Sequence, residues 1–90
     1  MSKFTARIQL HSADETDYET LNREIEKVEP GLKRKHLLVK ADKLRKGEYN
    51  YRGNISLSDV TKAVYRAIKK TGRDYSFTVM KNKEHSYTDN

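Results

Sequence analysis

The sequence predicts an α+β fold with its elements in the order βαββαβ. Three observations carry that prediction. Phe4 to Leu10 and Asp74 to Lys81 alternate apolar and polar residues, the period of a half-buried strand. Two separate segments, 12–29 and 56–71, carry apolar residues at helical spacing. Between them, breaks at "PG" (30–31) and "GN" (53–54) enclose a stretch that reads as two strands.

In the first strand Phe4, Ala6, Ile8 and Leu10 share one face, with Thr5, Arg7 and Gln9 on the other. Ser12 and Glu15 then stand at capping-box spacing, so a helix is expected to start there, its early acids complementing the helix dipole. Tyr18, Leu21, Ile25 and Val28 form its apolar stripe. Leu32–Val39 reads as the next strand, "KADK" as a polar turn, and Leu44–Arg52 as the returning strand. Leu44 is out of phase with Tyr49 and Tyr51, so a bulge near Gly47 is expected to bring them to one face. The second helix begins at Ser56, with Asp59 three residues on, and buries Val60, Ala63, Val64, Ala67 and Ile68. Gly72 stands at the expected C′ position. In the last strand Tyr75, Phe77 and Val79 face one way, Ser76, Thr78 and Met80 the other. Two βαβ halves with right-handed crossovers make a ferredoxin-like fold: a four-stranded antiparallel sheet with two helices on one face. One domain over residues 1–81 is expected, followed by a polar, loose tail at 82–90.

Composition narrows the chemistry. The 90 residues are 34% hydrophobic and 36% charged, so the core must be thin. With no cysteine, thiolate catalysis, disulfides and cysteine-based zinc sites are excluded. No stretch approaches the ~20 apolar residues of a membrane span, and "MSKFTARIQL" lacks a signal peptide's apolar centre. A cytoplasmic protein is expected. The net charge of +6 is segregated: residues 14–29 carry −5 and residues 30–83 carry +11. Such separation steers a polyanion to one side of a molecule.

The densest basic stretch is "KRKHLLVKADKLRKGEYNYR" at 33–52. Lys33, Arg34, Lys35, Lys43, Arg45, Lys46 and Arg52 are its candidate phosphate ligands, binding through counterion release. Tyr49 and Tyr51 are candidate stacking platforms for bases. The competing reading makes the lysines guards of an edge strand and the tyrosines core. The glycine–aromatic spacing of an RNA-recognition motif is missing from "EYNYRGN".

Of the histidines, His11 follows the first strand, where Ser12 and Asp14 could complete a small polar site, and His36 lies in the basic run. Histidine is the usual general base for attack by a ribose 2′-hydroxyl, so either could serve that reaction. The competing reading of His11 is a loop side chain bonded to backbone. His85 falls in the tail. No i, i+4 histidine pair marks a metal motif, and the acids of the first helix read as a solvated face or a surface for a basic partner. No glycine loop for phosphates is present, so no nucleotide cofactor is expected.

"FTARIQLHSADETDYETLNREIE" and "GEYNYRGNISLSDVTKAVYRAIKKTGRDYSFTVMK" resemble the GhoS family of antitoxins from type V toxin–antitoxin systems. The resemblance runs from Phe4 to Lys81 and rests on a strand ending in "LH", a tyrosine-bearing acidic helix, "EYNY" before a break, and "KKTG" shortly before "YS". It implies a ferredoxin-like fold, shared in shape with a CRISPR adaptation nuclease, and endoribonuclease activity on messenger RNA. It fixes no catalytic residue. The CRISPR-type relatives carry aspartate at the end of strand one, where this chain has Leu10 and His11, a departure that points away from metal-dependent cleavage. The expectation is an RNA-binding protein of GhoS type, acting as a metal-independent endoribonuclease on single-stranded RNA. The alternative is a non-catalytic interaction module that dimerises through a sheet edge and binds a partner by its acidic helix.

Overall fold

Alternation in a strand and 3.6-residue periodicity in a helix put apolar side chains on single faces, and the two kinds of face must then meet. The computed structural model describes residues 2–27 and 40–82 and shows that meeting. Its elements are β1 (Ser2–Leu10), α1 (Glu15–Glu26), β2 (Lys40–Arg45), β3 (Glu48–Gly53), α2 (Leu57–Lys69) and β4 (Tyr75–Lys81). The strands form one antiparallel sheet in the order β2-β3-β1-β4. The fold is ferredoxin-like α+β, as the periodicities predict.

The central pair β1 and β3 sets Phe4 opposite Tyr51 and Ala6 opposite Tyr49, all buried on the helix side. Leu21 and Ile25 of α1 and Val60, Val64 and Ile68 of α2 close over them, each almost fully buried. Burial of each such side chain contributes about 1.5–3 kcal/mol. The phenol of Tyr49 donates to Asn22 Oδ1, so its polar tip is satisfied inside the core. Tyr18 ends β1 in a different way. Beyond the β3 ladder the Leu10 N–H donates to Tyr18 Oη at 3.0 Å, which gives that donor a partner.

Both helix starts are capped, but one is displaced from its sequence expectation. Ser56 caps α2 as expected, accepting from the Asp59 N–H. For α1 the cap is Asp14, in a reciprocal box with Asp17, and not Ser12. Ser12 sits at φ 54 in the preceding turn, whereas Asp14 has the extended backbone a cap requires. Gly72 also falls later than expected, two residues past the C-cap Lys70, with φ 71.

The hairpin differs most. "KADK" lies in strand β2, and the turn is Lys46–Gly47. Gly47 makes that turn with φ 77, and its carbonyl accepts from the Ile8 N–H at 2.7 Å. The register irregularity falls between Lys43 and Arg45, leaving Leu44 half exposed instead of joining the tyrosines. The expected strand Leu32–Val39 lies outside the described residues, as do Val28 and most of the expected tail.

Candidate nucleic-acid interface

With both helices on one side, β1 and β3 turn their alternate residues to the open face. Register places Lys3, Thr5 and Arg7 of β1 against Arg52, Asn50 and Glu48 of β3. On the other flank Thr5, Arg7 and Gln9 oppose Met80, Thr78 and Ser76 of β4. The result is a surface of cations, amides and hydroxyls that also carries Glu48 and Met80; among the described residues no aromatic side chain lies on it.

Its centre is a hydrogen-bonded trio. The Thr5 hydroxyl donates to Asn50 Oδ1 at 3.1 Å and accepts from Asn82 Nδ2 at 3.0 Å. Around the trio, Arg7, Arg45, Glu48 and Leu44 line a shallow hollow of about 530 Å³. Glu48 sits between two arginines, 3.5 Å from Arg7 Nε and 3.9 Å from Arg45 Nε. Arg52 pairs with Asp42 at 3.4 Å. These ion pairs lie at the surface, with Glu48 partly buried, and such pairs are worth about 1 kcal/mol each, so a phosphate can compete with the carboxylates for the guanidiniums. The guanidiniums are thus positioned without being locked, and their planar forks suit phosphate.

The hairpin cations divide between two faces. Arg45 and Arg52 belong to the open face. Lys43 is exposed and stands opposite Tyr49, on the helix side of the sheet. Lys46 reaches α1, where its ammonium lies 2.7 Å from Glu15 and 4.7 Å from the centre of the Tyr18 ring. The hydrogen bond from Lys46 holds the Glu15 carboxyl below its usual range, and the same contact raises the lysine. Lys46 therefore fastens the hairpin tip to the acidic helix. Other acids of α1 are similarly engaged: Asp17 with Arg73 at 2.9 Å and Glu24 with Lys27 at 3.0 Å.

Tyr49 and Tyr51 are buried to within 1% and offer no ring to a base. The stacking role expected of them gives way to the competing core reading, because both share the phase of Phe4 and Ala6. His11 directly follows β1, its backbone N–H donating to the Asp74 carbonyl at 2.8 Å. Its Nε2 lies 2.9 Å from Ser76 Oγ, so its side-chain partner is on β4 and is neither Ser12 nor Asp14. Asp14 is already committed to the helix cap. Lys33, Arg34, Lys35 and His36 lie outside the described residues. Among the described residues no three His, Asp or Glu side chains gather as a metal site, and no helix is long and apolar enough to cross a membrane.

Lys3, Thr5, Arg7, Asn50 and Asn82 were not singled out from sequence as site residues. The signal for two of them was present, because Thr5 and Arg7 alternate with the buried set in β1.

No family model, curated protein or solved structure matches this chain. The GhoS resemblance stands on the residue pattern alone.

Proposed function

We propose that this chain binds single-stranded RNA across the helix-free face of its sheet, as an RNA-binding protein of the GhoS type with endoribonuclease activity. The observation that supports binding is the makeup of that face. Arg7, Arg45 and Arg52 surround Thr5, Asn50 and Asn82, which combines phosphate ligands with donors and acceptors for unpaired base edges. With the tyrosines buried, arginine planes take the place of aromatic platforms. For cleavage, His11 beside Ser76 is the proton-transfer group: it takes the 2′-hydroxyl proton, the 2′-oxygen bonds to phosphorus as the P–O5′ bond breaks, and the proton goes to the departing 5′-oxygen, leaving a 2′,3′-cyclic phosphate and a 5′-hydroxyl.

The test is fluorescence anisotropy of a labelled single-stranded RNA across a salt series. Arg7→Glu with Arg52→Glu should weaken binding at least tenfold and flatten the salt slope, since each lost phosphate contact lowers it by about 1. Lys62→Glu with Lys69→Glu, on α2, should change it little. Equal losses from the two pairs would move the site off the sheet. Cleavage is scored separately with purified protein, with and without a chelator. There His11→Ala should cost ~10²–10⁴-fold in rate at unchanged affinity. Wild-type protein that binds RNA without cutting it would remove the nuclease and leave the binding.

A further inference from the structure

A sheet of order β2-β3-β1-β4 has two outer strands, and here they are built differently. The β2 edge, "KADKLR", is short, charged and bulged at Leu44, all features that stop an edge from pairing again. The β4 edge, "YSFTVMK", has seven residues in unbroken register with β1, no proline and no charge before its last residue. Among the described residues nothing pairs with its outer side.

The direction of its free groups follows from the ladder. His11 N–H bonds to Asp74 O and Asn82 N–H to Lys3 O, at opposite ends of the β1–β4 pairing. In an antiparallel ladder alternate residues bond to the same neighbour, so the even-numbered residues of β4 face β1. Tyr75, Phe77, Val79 and Lys81 therefore turn their backbone N–H and C=O groups outward. Apolar surface gathers beside them. The side chains of Tyr75, Phe77 and Val79 are only partly buried against the core. Tyr65 of α2 stacks edge-on against Tyr75 at 6.0 Å and is 42% exposed. Leu57, two turns earlier on the same side of α2, is 43% exposed, and Met80 on the open face 49%. Among the described residues three of the four large exposed hydrophobics thus lie on β4 or the helix above it, Leu44 being the other.

We infer that β4 is the contact edge for a second copy of this chain, pairing antiparallel about a two-fold axis at Thr78. Charge selects that occupant and that direction. Asp74 precedes the strand and Lys81 ends it, so antiparallel pairing puts each acid at the same end as the partner's base, one register position away. Parallel pairing would set like charges together. An axis at Thr78 places Phe77 opposite the partner's Val79 as a hydrogen-bonded pair, using the outward groups, and sets Tyr75 opposite the partner's Lys81. The two open faces then run together as one continuous surface. The inference is independent of the RNA reading.

Sedimentation equilibrium from micromolar to near-millimolar protein tests it. Wild type should follow a monomer–dimer equilibrium. Val79→Pro removes an outward N–H that β1 does not use, so it should keep the native circular dichroism and sediment as monomer. Thr78→Lys, at an exposed position, sets two lysines against each other on the axis and should weaken the dimer at least tenfold. It decides the matter if Val79→Pro does not fold. A wild type monomeric throughout overturns the inference and leaves the edge to an extended segment of another protein. A dimer that both variants retain also overturns it.

Discussion

Gly47 and Gly72 share a backbone conformation and differ in their surroundings, which allows two costs to be separated by mutation. Gly47 has φ 77 and Gly72 φ 71. A β-carbon on Gly72 would meet nothing within 4 Å, whereas one on Gly47 would lie 2.2 Å from the Ile8 carbonyl oxygen. Gly72→Ala should therefore cost only the left-handed strain, about 1–2 kcal/mol. Gly47→Ala pays that strain and must also push the turn away from β1. The movement weakens the Ile8 N–H to Gly47 O bond, worth about 0.5–1.5 kcal/mol. It also disturbs packing around Ile8, which is 6% exposed. The total for Gly47→Ala is about 3–4 kcal/mol, a large part of the 5–15 kcal/mol typical of a domain. Urea unfolding followed by circular dichroism, with both variants at equal slope, measures the difference. Equal midpoints would refute the close approach of the hairpin tip to β1. So would a Gly72→Ala less stable than Gly47→Ala. If the reasoning holds, Gly47→Ala should also weaken RNA binding, because Glu48, the next residue, positions Arg7 and Arg45.

Val64 is fully buried between α2 and the sheet, so Val64→Asp should abolish the folded circular dichroism spectrum at neutral pH; a cooperatively folded variant would contradict the helix phase. Burial, with a smaller contribution from Glu26, pushes the Tyr49 phenol up to about 12, and burial pushes Tyr51 up as well. Unfolded phenols ionise near 10, so this stability is complete below pH 10 and is lost as pH rises through about 12. For Tyr49 the loss is on the order of 3 kcal/mol. Absorbance at 295 nm should show these two rings ionising together with unfolding, and their titration at the ordinary value in folded protein would refute their burial.

Most of the fold was legible because the periods of β1, α1, α2 and β4 agreed with the breaks between them. β1, α2 and β4 needed nothing beyond their own residues. The hairpin was not legible in the same way. Its turn is set by the approach of Gly47 to Ile8, a contact between residues far apart in sequence, and local composition made "KADK" look like the turn instead. The cap of α1 went astray for a related reason. Ser12 and Asp14 both have capping side chains, and the backbone path out of β1, held by the His11–Asp74 bond, decides between them.

The site was less legible than the fold because charge density along a chain does not say which face a charge occupies. Lys43, Arg45, Lys46 and Arg52 are close in sequence, yet only Arg45 and Arg52 stand on the open sheet. The phase of β3 settles this, since Tyr49 and Tyr51 take the buried positions and leave Glu48, Asn50 and Arg52 outward. Their partners come from β1, more than forty residues away: Arg7 for Glu48 and Thr5 for Asn50. The same alternation read jointly in β1 and β3 yields the hollow that the basic run does not. A ligand surface on a sheet is a property of register, and register becomes visible once both strands' buried sets are matched.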